Sequence, residues 1–411
     1  MTSIRFIHCA DLHLDRPFRG MDAVPNQMAA WVRESTFRSF HRIVDAAIGH
    51  QVDFVVIAGD LFDEEYRSLR AQARFRDEMK RLSDSGIEVF AVHGNHDFLG
   101  GNRAPLGWPD NVHIFGPDVE MMPFAKKGTV LAHLYGFSYR ERAVTDRQAL
   151  FYEKAGSAPF HIGILHGQEE AGSGEHASYA PFTVRELLDQ ELNYWALGHI
   201  HKRQVLNEEP VVSYPGNIQG LNPKETGEKG CFLVEMDEKA TELSFIPTAD
   251  IEWAVCEISV SEAGNSARLL EICEQELEKL RKEKTGTLAV IDFVGSGPLH
   301  AYLLQEENLE DLLSALREGE EARENFVWPA SCRVKTVSHW DRDKLKQDDH
   351  FIGDLLRLLD EEGAEDALDP LVKNRRAKRF LSEPDDHGRR EILKEAETLL
   401  LTELLREGEP E

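Results

Sequence analysis

Short, almost entirely apolar runs recur through the first half of the chain and predict buried strands. The five clearest runs span residues 4–10, 53–58, 87–92, 161–165 and 194–197. Between the first three runs, apolar residues at helical spacing predict crossover helices over about 28–50 and 69–85. This alternation of strand and helix indicates an α/β fold in which several strand ends meet at one edge.

The pattern changes after residue 205, where short strands separated by turns predominate. From residue 251 the order is strand, helix, strand, helix and strand, with helices over about 266–283 and 308–319 and a last strand over 332–337. The chain then becomes charged and helical. We therefore predict a large α/β domain over 1–250, a small α/β domain over 251–339 and a helical tail over 340–411. A standalone ligand-binding module is the weaker interpretation of the second part.

Five polar motifs follow the apolar runs and supply three kinds of metal ligand: carboxylate, carboxamide oxygen and imidazole. The motifs are Asp11-Leu12-His13, Gly59-Asp60, Gly94-Asn95-His96-Asp97, His166-Gly167 and Gly198-His199-Ile200-His201. Each motif alone could be an ordinary structural feature, since Gly-Asp and Gly-Asn are common turn pairs and a lone histidine is usually structural. The ordered set at successive strand ends is typical of a metal centre instead.

Seven of these side chains suit two divalent ions if one carboxylate serves both. Asp60 is the candidate bridge, because a short carboxylate on a tight turn offers one oxygen to each ion. The predicted ligands are Asp11, His13 and His201 for the first ion, and Asn95, His166 and His199 for the second. Two ions roughly 3.5–4 Å apart can clamp both oxygens of an in-line phosphoryl displacement. The mixed oxygen and nitrogen donors suit manganese, iron or zinc and argue against a calcium site.

His96 is predicted to act in chemistry and not in metal binding. It lies beside Asn95, so its ring can face a bound phosphate while Asn95 faces the metal. A histidine in that place can stabilise charge on the phosphate or protonate the leaving oxygen. Asp97 is the predicted partner that fixes the tautomer of His96.

The composition is that of a folded protein with more than one domain. The chain has 411 residues, of which 41% are hydrophobic. It contains no run of about 20 apolar residues and no leader-like start, which argues against export and membrane spanning. Its five cysteines show no Cys-x-x-Cys spacing, and we expect reduced, mostly buried thiols in a cytoplasmic protein.

The net charge is −27, whereas a protein that grips DNA alone usually shows a basic footprint. Either the contacts with DNA are local, or a partner supplies them, or the substrate is not a long polyanion. We favour a partner. The basic cluster Lys373–Arg379 stands apart from this acidic background. A solvated helix face is its favoured meaning, and contact with a DNA backbone or an acidic partner is the alternative.

Two leucine-rich stripes occur in the tail at helical spacing. They consist of Phe351, Ile352, Leu355, Leu356 and Leu359, and of Ile392, Leu393, Ala396, Leu399, Leu400 and Leu404. The stripes suit packing against each other or against the small α/β domain. They suit the base of a partner's coiled coil equally well.

The motifs resemble those of the calcineurin-like metallophosphoesterases. Within that superfamily, segments 8–14, 58–63, 196–201 and 214–218 are similar to the SbcD group of DNA exonucleases, especially its YhaO-like bacterial branch. The chain departs from some members at Asp63, where they carry a histidine. The resemblance is strong over residues 1–250 and extends to the rest in layout only, as a cap domain at 251–339 and a helical tail.

The resemblance implies a four-layer fold of two facing mixed sheets flanked by helices, with an α/β cap and a helical tail. It also implies manganese-dependent cleavage of DNA phosphodiesters in DNA repair, with an SMC-like ATPase of the SbcC type as partner. The sequence does not decide whether the protein forms a homodimer. Two other functions compete: a phosphatase or phosphodiesterase acting on nucleotides or phosphoproteins, and a non-catalytic scaffold for an ATPase. The complete ligand set and His96 argue against the scaffold.

Overall fold

The computed structural model describes residues 2–19, 26–63, 68–101, 106–170, 179–338, 342–347, 349–360, 364–372 and 384–406. The chain divides into two compact units. The first unit comprises Met1–Cys256, Leu277–Val290 and Leu316–Ser331, and the second comprises Glu257–Glu276, Ile291–Ala315 and Cys332–Glu411. This division cuts through the strands of segment 251–339, so the three predicted domain ranges stay a prediction.

The strands of the described residues are listed here in chain order. They are β1 (Ser3–Cys9), β2 (Phe54–Ala58), β3 (Glu88–Val92), β4 (Val112–Ile114), β5 (Glu120–Lys126), β6 (Thr129–Gly136), β7 (Phe160–His166), β8 (Tyr194–Gly198), β9 (Gln204–Glu208), β10 (Val211–Tyr214), β11 (Gly230–Asp237), β12 (Thr241–Pro247), β13 (Ile251–Ser259), β14 (Gly286–Val294), β15 (Ser296–Gly297), β16 (Val327–Val334) and β17 (Val337–Ser338).

The helices follow the same order. They are α1 (Asn26–Gly49), α2 (Leu69–Asp84), α3 (Val184–Leu188), α4 (Ser266–Glu278), α5 (His300–Leu303), α6 (Glu306–Arg317), α7 (Arg342–Gln347), α8 (Phe351–Leu359), α9 (Asp369–Val372) and α10 (Asp386–Arg406).

Two six-stranded mixed sheets make up most of the first unit. Their strand orders are β12-β11-β1-β2-β3-β4 and β5-β6-β7-β8-β10-β9. Strands β1, β2 and β3 run parallel in one sheet, and β6, β7 and β8 run parallel in the other. A further sheet contains β13, β14 and β16. The predicted pair of mixed sheets in an α/β fold is confirmed.

Both faces of the central strands are covered, which explains their continuous apolar runs. Successive side chains point to opposite faces of a strand. Phe54 therefore packs with Tyr194 in the core between the two sheets, whereas its neighbour Val55 packs with Phe75 of α2 in an outer cluster. On the far side, Trp195 packs with Leu187 of α3. The two sheets thus face each other with helices outside.

The first unit also includes parts of the predicted cap segment. Met28 and Val32 of α1 belong to one buried cluster with Trp253, Val290 and Trp328. Asp250 lies at the start of this segment, and its carboxylate accepts hydrogen bonds from Arg38 at 2.7 Å and Arg42 at 2.8 Å.

Within the second unit, the tail helices bury only part of their apolar stripes. Leu356 of α8 and Leu401 of α10 are fully buried, whereas Phe351 and Leu399 are each 67% exposed and Leu400 is 45% exposed. Leu401 lies outside the predicted stripe, so Leu356 is the one fully buried residue among the described stripe positions, and both interpretations of the stripes stay open. The basic cluster Lys373–Arg379 lies outside the described residues.

The predicted helices at 28–50, 69–85 and 308–319 agree with α1, α2 and α6 to within two residues. Two boundaries were wrong by more: the helix predicted to reach 283 ends at Glu278, and the strand predicted at 332–337 starts at Val327. Four of the five cysteines are buried, as the sequence predicts. Among the described helices, none is both long and apolar enough to cross a membrane.

Candidate metal centre

All five motifs lie at the carboxyl ends of strands, where the tops of the two sheets approach each other. Asp11 follows β1, Asp60 follows β2 and Asn95 follows β3, while His166 ends β7 and His199 follows β8. The backbone is left-handed at Asp11, His13, Asp60 and His199, with φ values of 52°, 41°, 53° and 98°. Such conformations are costly for residues other than glycine and are concentrated at functional sites.

The three side chains predicted for the first ion come together. The ligand atoms of Asp11, His13 and His201 all lie within 4.8 Å of one another. The Nε2 atoms of His13 and His201 are 3.2 Å apart. Both Asp11 carboxylate oxygens also accept the backbone N–H of His199 at 3.1 Å, which joins the tops of β1 and β8.

The three side chains predicted for the second ion also converge. Asn95 Oδ1 lies 2.9 Å from His166 Nε2 and 3.1 Å from His199 Nδ1. His166 Nδ1 donates to the carbonyl oxygen of Ala58 at 2.9 Å, since a carbonyl can only accept. The Nε2 atom of a neutral His166 therefore carries a lone pair that points into the centre.

Asp60 lies between the two groups. Its Oδ2 atom is 3.7 Å from His13 Nε2 in the first group and 3.5 Å from His166 Nε2 in the second. Its Oδ1 atom accepts the backbone N–H of His96 at 2.9 Å, which orients the carboxylate. This position suits a carboxylate that serves two ions.

The donor set fits two divalent cations. Lone-pair oxygen and nitrogen atoms face one another here at 2.9–3.7 Å, an arrangement that a shared cation stabilises. Space for the donors depends on Gly94, because a Cβ there would stand 2.3 Å from Asp60 Oδ1 and 2.6 Å from His166 Nε2. The residues present therefore fit the predicted metal pair, while their individual assignment stays a prediction.

Burial controls the charge states of the ligands. It raises the pKa of Asp60 to about 7 and, together with the Asp60 charge, raises the pKa of Asp11 well above its usual range. Burial also lowers the pKa of His166 to about 4 and that of His199 to about 3. The rings stay neutral near pH 7 and the buried carboxylates require a compensating cation.

His96 lies beside the ligands with its side chain 26% exposed. Its Nδ1 atom is 3.5 Å from Asp63 Oδ2. Burial alone would lower the pKa of His96, but the hydrogen bond to Asp63 and the charges of Asp60 and Asp63 outweigh it and raise that pKa. The charges of Asp60 and Asp63 therefore favour the protonated form of the His96 imidazole.

Asp97, the predicted partner of His96, has several other partners in the structure. It accepts a hydrogen bond from His93 Nδ1 at 2.8 Å and from the backbone N–H groups of Gly94 and Leu61 at 2.7 Å and 3.0 Å. Asp97 thus shapes the turns that carry Asn95 and Asp60, and Asp63 is the carboxylate beside the His96 ring.

Two carboxylates that contact histidines of the site are not among the residues predicted from the sequence. Asp63 was noticed only as a departure from related sequences, and Glu225 was not noticed at all. Glu225 accepts the Nδ1–H of His201 at 2.8 Å, and its other oxygen accepts from Asn217 at 2.9 Å and from the Leu221 backbone at 2.7 Å. Despite burial, these bonds lower the pKa of Glu225 to about 2.

Two family profiles match separate parts of the chain. Residues 4–203 match the calcineurin-like phosphoesterases, and residues 253–337 match the middle domain of the metallophosphoesterase YhaO.

Individual relatives agree with these profiles. The metallophosphoesterase YhaO of Bacillus subtilis is 41% identical over 410 residues, which are 98% of each chain. A protein named DNA double-strand break repair protein Mre11 from Aeropyrum pernix is 28% identical over 55% of this chain and 56% of its own. A protein of the same name from Archaeoglobus fulgidus is 23% identical over 90% and 84% of the two chains.

Proposed function

The chain belongs to the calcineurin-like phosphoesterases, and we propose that it is a binuclear, metal-dependent phosphodiesterase that cleaves DNA. The observation that carries this proposal is the convergence of seven candidate metal-ligand side chains beside His96. The metal pair is proposed to be manganese, because oxygen and imidazole donors without thiolate suit that ion.

Two divalent ions, when bound here, supply Lewis acidity at the phosphate and acidify the attacking water. The chain's own residues supply the rest of the chemistry. Asp63 holds Nδ1 of His96, so the other ring nitrogen is left for the leaving oxygen of the substrate. A protonated His96 can donate its proton to that oxygen as the phosphorus–oxygen bond breaks, an effect of about 10²–10⁴ in rate.

DNA is favoured as the substrate by the motif resemblance and by the relatives named for double-strand break repair. The net charge of −27 argues against DNA binding by this chain alone. We therefore propose that a partner, an SMC-like ATPase of the SbcC type, supplies most of the DNA contacts. The complex is expected to act in the cytoplasm.

The tail at 340–411 is the proposed partner surface. Leu399 and Leu400 are exposed side by side on α10, and Phe351 is exposed on α8. Exposed apolar side chains on amphipathic helices are typical of a helix-in-groove contact with another protein. The middle segment 251–339 is proposed to be a cap domain.

One assay separates the competing functions. Purified protein, with and without the ATPase, is incubated with manganese and either end-labelled duplex DNA or bis(p-nitrophenyl) phosphate. We expect slow hydrolysis of the small diester by the chain alone and DNA cleavage that the ATPase stimulates. Cleavage of the small diester with no DNA cleavage under either condition would favour a small-molecule phosphodiesterase. No hydrolysis at all by metal-loaded protein would favour a scaffold.

A further inference from the structure

Arg16 lies three residues after the ligand His13, and its side chain is only 17% exposed. A tight turn brings it back to the centre, because its backbone N–H donates to the carbonyl oxygen of His13 at 3.1 Å. A partly buried guanidinium beside a candidate metal centre is electrostatically unfavourable unless an anion compensates it. Two anions can do so here: Asp63, and a substrate that enters the centre.

Asp63 holds one edge of the guanidinium. Arg16 Nε is 3.1 Å from Asp63 Oδ2, and the same oxygen lies 3.5 Å from His96 Nδ1 and 3.9 Å from His13 Nδ1. One carboxylate oxygen therefore orients the arginine and the proton-donating histidine together. Arg16 and His96 are placed side by side at the edge of the predicted metal ligands.

The other edge of Arg16 is poorly compensated. Nη1 is 3.3 Å from His13 Nδ1, and Nη2 has no hydrogen-bond partner among the described residues. A guanidinium that pairs fully with a carboxylate usually engages it through two parallel N–H groups. Here the pairing with Asp63 uses Nε, which leaves N–H groups in the fork geometry that suits a phosphate oxygen.

We propose that Arg16 is a substrate-binding residue that donates to a non-bridging oxygen of the phosphodiester phosphate. This inference rests on the proposed function and adds to it a fixed cation that Asp63 holds beside the predicted metal ligands. Fixed donors of this kind gain strength as charge builds on the phosphoryl oxygens during displacement. The site is therefore expected to bind free tetrahedral oxyanions, inorganic phosphate among them.

The test compares Arg16→Gln with Arg16→Lys and with the control Arg19→Gln. Arg19 is an exposed arginine on the same segment, so its substitution removes the same charge. Binding of inorganic phosphate to the manganese-loaded full chain is measured by calorimetry, together with metal content, melting temperature, KM and kcat on bis(p-nitrophenyl) phosphate. We expect Arg16→Gln to weaken phosphate binding about tenfold to a hundredfold with metal content unchanged. Arg16→Lys should lose less phosphate affinity than Arg16→Gln, and Arg19→Gln should bind phosphate as tightly as the wild type.

Equal phosphate affinity in Arg16→Gln and Arg19→Gln would overturn the proposal, as would loss of metal in step with loss of phosphate binding. If Arg16→Gln folds poorly, Arg16→Lys decides, because wild-type phosphate affinity and KM in that variant contradict a fork-specific contact. Phosphate binding does not depend on turnover. Arginine-dependent phosphate binding without diester or DNA cleavage would therefore support the role of Arg16 while rejecting the proposed function.

Discussion

Glu225 accepts a hydrogen bond from His201 Nδ1 at 2.8 Å, which leaves the lone pair of His201 Nε2 directed towards His13 Nε2, 3.2 Å away. A carboxylate behind an imidazole fixes the tautomer that a metal needs and makes the ring a better donor. Glu225 is itself held by Asn217 and by the backbone of Leu221. The first group of ligands thus depends on a residue outside the five motifs.

We expect Glu225→Gln to weaken binding of one ion by about 10- to 100-fold, while the second ion binds nearly as in the wild type. The glutamine keeps the shape of the side chain but no longer stabilises the metal-bound imidazole by charge. Manganese titration by calorimetry measures both affinities. Glu228→Gln, at a more exposed carboxylate three residues further along, is the matched control. An equal effect in both variants would show that the positioning role is wrong.

Asp60→Asn is expected to reduce binding of both ions, whereas Asp11→Asn should mainly weaken the first. Metal analysis of the wild type under saturating manganese should show two ions per chain. A stoichiometry of one would contradict the two-metal arrangement. Asp189→Asn removes an exposed carboxylate and should leave the metal content unchanged.

Asp60→Asn should stabilise the metal-free protein. Burial raises the pKa of folded Asp60 to about 7, above its unfolded value near 3.9. Its ionisation therefore penalises the fold progressively as pH rises from about 4 to 7, and fully above 7. In a chelator, the melting temperature of Asp60→Asn should exceed that of the wild type by a margin that grows between pH 5 and 8. With manganese bound, the wild type should have the higher melting temperature. A difference in melting temperature that does not change with pH would contradict this account.

His96→Ala should retain both ions and lose turnover by at least about 10². The control is His113→Ala, because His113 also pairs with a carboxylate, Glu88, at 2.7 Å but lies in β4 at the edge of the first sheet. Loss of metal in proportion to loss of activity would assign His96 to the ligands instead.

Asp63→Asn should move the alkaline limb of the kcat profile to lower pH. The charge and hydrogen bond of Asp63 raise the pKa of His96, so without them the ring loses its proton at lower pH. If His96 is the proton donor, activity declines earlier as pH rises. An unchanged alkaline limb in a variant with normal metal content would mean that His96 does not supply the proton.

The exposed apolar residues of the tail should determine partner binding. We expect the double variant Leu399→Ser, Leu400→Ser to lose co-purification with the SMC-like ATPase and ATP-stimulated DNA cleavage, with hydrolysis of the small diester preserved. Deletion of residues 340–411 should have the same effect. Leu150→Ser with Phe151→Ser is the control, since these residues are 50% and 62% exposed elsewhere. Full-strength binding by the tail variants would place the partner surface elsewhere.

Much of the fold could be predicted from the sequence because the central strands bury both faces. Phe54 and Val55 contact different layers, so β2 appears in the sequence as an unbroken apolar run ending at Gly59-Asp60. The strands β5 and β6 were not predicted. Most residues of β5 are exposed, and an exposed edge strand carries little hydrophobic signal.

The candidate metal ligands could be predicted from the sequence, because each motif stands at or shortly after the end of a strand and parallel strands end at one edge. The roles of Asp63, Glu225 and Arg16 were decided only by the tertiary structure. Glu225 reaches His201 across 24 residues that include β9 and β10, and Asp63 reaches His96 across 33 residues that include α2 and β3. Spacing along the sequence does not specify which of these side chains meet. Hydrogen bonds and pKa values depend on those distances and on burial, which exist only once the two sheets have packed together.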